Sequence, residues 1–206
     1  MNEQTVAQFM AEYLEGDLIA RLSWMGLSTY KTPCDLWVYA ELIHELRPER
    51  VIECGTWEGA NAHWLATVLE TTGRGNVLSV DVGLQADLPT HPRLSYLQGN
   101  SVAASTLDAV REFLGTHMAG IVILDSDHHA EHVRIELDAY SAFVKSGGYL
   151  VVEDTHINRP HPIPGIADGP GEALDQWLPQ HPEFEVDLNR ERFGLTVCKG
   201  GYLRRR

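Results

Sequence analysis

The chain has 206 residues, and its 16 Lys and Arg against 29 Asp and Glu leave a formal net charge of −13. That balance argues against nucleic acid or an anionic membrane surface as partner, because both are bound through a basic footprint. The length suits one domain with a sizeable core, no apolar run approaches the roughly 18 residues of a membrane span, and the opening residues carry no signal-peptide pattern.

The three cysteines, Cys34, Cys54 and Cys198, are odd in number and set in apolar surroundings. Buried free thiols in a reducing cytoplasm fit them better than a disulfide framework. In chain order, residues 5–22 place Val6, Phe9, Met10, Tyr13, Leu14, Leu18 and Ile19 near a helical repeat, and residues 24–33 have no period. Residues 35–46 read as a helix with Trp37, Ala40, Ile43 and Leu46 on one side, stopped by Pro48. These first 48 residues form an expected helical extension on the substrate and oligomer side of a domain spanning 49–206.

From residue 51 the pattern alternates. Strands are expected at 51–54, 76–80, 94–97, 121–124 and 149–152, with helices at 61–69, 102–114 and 131–144. Such alternation implies right-handed βαβ units and a parallel sheet. Residues 155–170 hold four prolines and no period, so they read as a long loop and a candidate lid. A helix at 172–178 precedes an antiparallel pair, 184–188 with 195–198, and Arg204 to Arg206 read as a solvated tail.

The chemistry gathers at strand ends. Glu53-Cys-Gly-Thr-Trp-Glu-Gly-Ala-Asn61 lies between the first strand and its helix. Its glycines permit a tight turn, and the helix N-terminus offers free N–H groups to an anion. The form is not G-x-G-x-x-G; Glu-x-Gly-x-x-x-Gly is that of an S-adenosylmethionine turn, with Glu53, Gly55, Thr56, Gly59 and Asn61 as candidate contacts. Asn61 either caps the helix or touches the cofactor carboxylate, and capping is the simpler reading. Asp81 ends the second strand, where a carboxylate accepts from ribose hydroxyls or merely opens a turn. Asn100 and Ser101 either read an adenine edge or cap the next helix.

Two apolar runs, Ile121 to Leu124 and Tyr149 to Val152, end in Asp125 with Asp127 and in Glu153 with Asp154. Carboxylates that close repel by about 4 kcal/mol per pair at 4 Å and an effective dielectric near 20, so a counter-charge is required. Three oxygen ligands, Asp125, Glu153 and Asp154, suit Mg²⁺, and Asp127 suits a helix cap. His128, three residues past Asp125, is placed as a general base. A rival reading pairs His128 with His132 at i, i+4, together with Asp125, for zinc or iron in a hydrolase or oxygenase. No third His or Cys ligand stands out, and His156 and His161 in the loop are candidates for the substrate side.

Tyr30-Lys-Thr-Pro-Cys-Asp-Leu-Trp-Val-Tyr39, Ile52-Glu-Cys-Gly-Thr56, Leu124-Asp-Ser-Asp-His128, Gly147-Gly-Tyr-Leu-Val-Val-Glu-Asp154 and Gly169-Pro-Gly-Glu-Ala-Leu174 together resemble the cephalosporin-hydroxylase family. Despite that label, the family is similar to S-adenosylmethionine-dependent O-methyltransferases of antibiotic and sugar biosynthesis, and more distantly to catechol O-methyltransferase. The resemblance implies a Rossmann-like class I methyltransferase fold of seven strands, parallel except for an antiparallel last strand. It implies metal ligands at Asp125, Glu153 and Asp154, a base at His128, and cofactor contacts at Glu53, Gly55, Gly59, Asp81 and Ser101, with Asp125 beside the methyl donor. It places Lys31 and Thr32 near the active site, and Gly59-Ala-Asn61 departs from the usual Gly-Gly-Ser. The expected protein is a Mg²⁺-dependent O-methyltransferase acting on a small-molecule hydroxyl, and a homo-oligomer. A cofactor-binding subunit without catalysis is the second alternative.

Overall fold

The computed structural model describes residues 8, 12, 13, 18–157 and 166–206. Most of the helix expected at 5–22 and the centre of the 155–170 loop, with His161, lie outside the described residues. A two-strand hairpin, β1 (Ser23–Trp24) and β2 (Leu27–Ser28), occupies the region expected to be irregular. Helix α1 (Pro33–Leu46) follows, capped by Thr32, whose hydroxyl accepts from the Asp35 N–H at 3.0 Å. Its buried face is Asp35, Val38, Tyr39, Leu42 and Ile43; Trp37, expected on that face, is 62% exposed and donates to Glu41 instead.

The main sheet contains β3 (Arg50–Cys54), β4 (Asn76–Asp81), β5 (Leu94–Gln98), β6 (Ala119–Leu124), β7 (Val144–Val152), β8 (Phe184–Val186) and β9 (Tyr202–Arg205), in the order β5-β4-β3-β6-β7-β9-β8. Strands β3 to β7 run parallel, and β9 lies antiparallel to both β7 and β8. The crossover helices are α2 (Ala60–Thr72), α3 (Ala104–Leu114) and α4 (Ala130–Ser141), and α5 (Pro170–Trp177) packs beside α4. Because strand side chains alternate, residues of one parity meet α1 and α2 and the other parity meets α3, α4 and α5. Val51, Ile121, Ile123, Tyr149 and Val151 join Val38, Leu42 and Leu65 in one core; Ile52, Val122, Leu124, Leu150 and Val152 join Val110, Leu137 and Trp177 in the other. Central strands buried on both faces explain the continuous apolar runs in the sequence.

Three differences from the sequence reading have local causes. The helix expected to reach 144 ends at Ser141, because Val144 pairs with Ala119 and begins β7. The strand expected at 195–198 is displaced by Tyr202–Arg205. Thr196 and Val197 instead spend a hydroxyl and an N–H on the Asp35 carboxylate, which also accepts from Thr32 and, at 2.8 Å, from Tyr202. The three terminal arginines are structural: Arg204 and Arg205 lie in β9, Arg205 donates to the Ser141 carbonyl at 3.2 Å, and Arg206 pairs with Glu185.

The strand ends stay stitched past their last ladder pair. Gly55 N–H donates to Val80 O, Asp125 N–H to Cys54 O and Glu153 N–H to Leu124 O, at 2.8, 2.8 and 3.0 Å. Gly55 has φ +101°, and a Cβ there would meet the Asp125 carbonyl oxygen at 1.8 Å, so only glycine brings the turn against β6.

Two substitutions test this scaffold. Asp35→Ala strands the Tyr202 hydroxyl and the Val197 N–H, and should cost about 3 kcal/mol, lowering Tm by about 6–12 °C in a domain this size; a calorimetric shift under about 2 °C would remove Asp35 as the clamp. Gly55→Ala should fail to fold or lose at least about 3 kcal/mol, and an unchanged denaturation midpoint would contradict the close approach.

Candidate active site

Asp125 continues the parity of Ile121 and Ile123, and Glu153 that of Tyr149 and Val151, so both carboxylates leave the sheet on the α1 side. Asp154 has φ +55°, left-handed backbone that costs a non-glycine residue of order 1 kcal/mol or more and that clusters at functional sites. There its carboxylate meets His128 Nε2 at 3.1 Å, and Asp125 Oδ1 lies 3.6 Å from the same nitrogen. Asp125, His128 and Asp154 each offer a ligand atom within 4.8 Å of the others, the one such group among the described residues.

Glu153 is 1% exposed and turns to the interior. Its Oε2 accepts from Lys31 Nζ and its Oε1 from the Tyr39 hydroxyl, both at 2.6 Å. Lys31, expected near substrate, is 4% exposed and donates to Asp125 as well. Thr32 is spent as the α1 cap and as donor to Asp35. Tyr39 carried no site signal in the sequence, which set Trp37, Ala40, Ile43 and Leu46 on one side of the helix and gave Tyr39 no role.

The electrostatics follow from this packing. Burial pulls the Lys31 pKa down, but Asp125, Glu153 and Asp154 outweigh it and hold the ammonium well above its usual value. Burial pushes Asp125 up, and Lys31 with His128 more than reverses that. Asp154 is raised by burial and by the charge of Asp125. Burial lowers His128, yet Asp125 and Asp154 raise it to about 9, so the imidazole is protonated at neutral pH.

The zinc-type pair does not assemble. Helix α4 starts at Ala130 with His129 as its N-cap, so His128 precedes it. His132, inside it, lies 3.1 Å from the Ser101 hydroxyl and 3.4 Å from Glu136. Asp127 accepts from the His129 N–H at 2.8 Å, closing the turn that leads into α4. His156 Nδ1 is buried without a hydrogen bond, 3.6 Å from Asp154. With one imidazole at most beside Asp125 and Asp154 and a third carboxylate, Glu153, behind them, the set is oxygen-rich and suits Mg²⁺ better than zinc or iron.

Beside the cluster, the glycine-rich turn is braced by Asp81, whose Oδ2 accepts from the Thr56 and Trp57 N–H groups at 2.8 and 3.2 Å and whose Oδ1 accepts from Gly83 N–H. Asp81 thus opens a turn and also clamps the loop. Gly59, with φ +75°, is the N-cap of α2, so Asn61 does not cap; its amide donates to Glu53 at 2.7 Å. Ser79, itself 2.7 Å from the Thr56 hydroxyl, donates to the other Glu53 oxygen. Burial raises Glu53 to about 7 despite these donors. Asn61 Oδ1 is buried with no partner, and an orphaned acceptor beside a buried carboxylate fits the ammonium of a bound S-adenosylmethionine. Asn100 is exposed, accepts from Val102 N–H at 3.0 Å, and leads to buried Ser101 at the end of β5.

The comparisons with known proteins agree with this geometry. Residues 17–206 match the family described as rhamnosyl O-methyltransferase/CmcI. The chain is 32% identical over 206 residues to a rhamnosyl O-methyltransferase of Mycobacterium tuberculosis, covering 96% of this chain and 84% of that one. It is 33% identical over 190 residues to the Mycobacterium leprae rhamnosyl O-methyltransferase, covering 89% and 83%. Among solved structures, CmcI with Mg and SAM superposes with a TM-score of 0.67 at 21% identity, covering 91% of this chain and 77% of that one. The methyltransferase MycE of the mycinamycin biosynthetic pathway, with Mg and SAH, gives 0.56 at 21%, covering 87% and 48%. These likenesses share the class I methyltransferase fold, and the sequence match over nearly the whole chain carries the assignment: this chain belongs to the rhamnosyl O-methyltransferase/CmcI family.

Proposed function

We propose that this S-adenosylmethionine-dependent O-methyltransferase acts with Mg²⁺ on a hydroxyl of a small glycoside or related secondary metabolite. The observation that carries the reading is the direct packing of the cofactor turn on the acidic cluster, Gly55 against Asp125. The family's rhamnosyl relatives support a sugar hydroxyl, and the Mg and SAM or SAH held by CmcI and MycE support the two cofactors.

Asp125, Glu153 and Asp154 would hold the cation. When bound, Mg²⁺ supplies a Lewis acid for the acceptor hydroxyl and takes up the carboxylate charge that keeps His128 protonated, and S-adenosylmethionine supplies an electrophilic methyl on sulfur. His128 Nε2, free of that charge, accepts the hydroxyl proton, a contribution of about 10²–10⁴-fold. Glu53 and Asn61 would receive the cofactor's ammonium, Asp81 and Ser101 would border its nucleoside, and the rigid strand ends would position acceptor and methyl donor. The described residues 18–48 are assigned to the acceptor side. Buried Cys54 and Cys198 and half-buried Cys34, all free, support a cytoplasmic setting, and no helix among the described residues is long and apolar enough to cross a membrane. A homo-oligomer completes the proposal.

Methyl transfer to a panel of rhamnosyl glycosides tests the metal first. EDTA should abolish turnover and Mg²⁺ restore it; full turnover in EDTA would end the metal role. His128→Asn should lower kcat by about 10²–10⁴-fold while cofactor Kd stays within a few-fold, and wild-type kcat would assign the base elsewhere.

A further inference from the structure

The segment between β2 and α1 brings a fully buried ammonium into the middle of the catalytic carboxylates. Lys31 Nζ contacts Asp125 and, at 2.6 Å, Glu153, and its side chain is 5% exposed. The segment is anchored on both sides. The Tyr13 hydroxyl donates to the Lys31 carbonyl at 3.1 Å, and Thr32 is locked to Asp35, which holds the 196–202 region. Tyr39 fixes the other oxygen of Glu153. A buried cation so placed is not a mobile substrate-binding side chain, because withdrawing it would leave Asp125 and Glu153 facing each other without compensation.

Resting on the proposed Mg²⁺ site, we propose that Lys31 is a built-in counter-cation that sets the affinity of the site for its divalent metal by competing for Asp125 and Glu153. In the metal-free protein its ammonium holds the two carboxylates together and keeps the site assembled. When a divalent cation arrives, Asp125 and Glu153 serve two positive centres at once, so the metal is bound less tightly than three carboxylates alone would bind it. Lys31 is in this sense a positioning residue: it acts through the carboxylates that would hold the metal.

Titration calorimetry with Mn²⁺, and with Mg²⁺ in competition, on the full chain tests this. Lys31→Met keeps most of the unbranched stem and removes the charge; it should bind Mn²⁺ at least tenfold more tightly than wild type, about 1.4 kcal/mol. Lys31→Arg, which keeps the charge, should stay within about threefold, well under that step. A structural lysine lost from a core would weaken metal binding, so the direction of the shift separates the two roles. If wild type binds Mn²⁺ and Lys31→Met binds it equally or more weakly, the counter-cation role is overturned and the Mg²⁺ reading stands. If wild type binds no divalent cation but Lys31→Met does, the competition is upheld and the Mg²⁺ requirement of the native enzyme fails. If neither binds, both fail. Should Lys31→Met be unfolded without metal, refolding by millimolar Mg²⁺ upholds the proposal, because the metal then replaces the missing charge, and a variant that stays unfolded at every Mg²⁺ concentration overturns it.

Discussion

The structure depends on compensating three carboxylates that the parallel sheet forces into one small volume. Asp125, Glu153 and Asp154 arrive there because β6 and β7 are neighbours in register, with Leu124 opposite Val152. Low-dielectric surroundings make such a cluster untenable unless each charge is met. The protein meets two of them from the α1 side with Lys31 and Tyr39 and the third from the β6–α4 turn with His128. Much of the architecture outside the sheet can be read as what delivers those groups: the Thr32 cap, the Asp35 clamp and the Tyr13 contact all fix the residues flanking Lys31.

The same compensation explains how binding and catalysis are connected. A protonated His128 stabilises the acidic site but cannot accept a proton, so the charge that holds it protonated would have to be taken up before it could act as the proposed base. At the carboxyl end of the neighbouring strand β3, Glu53 is buried with two donors and a raised pKa, and Asn61 beside it keeps one acceptor unspent. Three carboxylates share one ammonium, one imidazolium and a neutral Tyr39 hydroxyl, and Glu53 has only neutral donors. Both halves therefore stay short of positive charge where a metal and a sulfonium-bearing amino acid would supply it. Gly55 joins the halves, since no side chain fits between the turn and the Asp125 carbonyl.

The family assignment and the geometry bear on different questions. A match over residues 17–206 fixes the kind of chemistry, while solved relatives at 21% identity speak for the fold. The individual side chains distinguish roles that a shared motif leaves merged. Asp127 closes a turn, Asp81 braces a loop, His132 belongs to a Ser101–Glu136 network, and Glu153 faces inward while its neighbour Asp154 faces His128.

What the sequence alone determined is periodic or contiguous. Apolar runs broken by carboxylates located β6 and β7, the alternation of periods implied a parallel sheet, and the spacing from Glu53 to Gly59 marked the glycine-rich turn. Those features are set by nearest neighbours along the chain and by the two-residue and 3.6-residue repeats. The tertiary structure alone decided which distant residues answer the charges. Lys31 lies 94 residues from Asp125 and 122 from Glu153, and Asp35 lies 167 from Tyr202. It also decided that Tyr202–Arg205 rather than 195–198 completes the sheet, because Thr196 and Val197 are drawn off to Asp35. No local period encodes a contact of that span. Its energy comes from pairing charged and polar groups that burial has stripped of water, and that burial exists only once the core has closed.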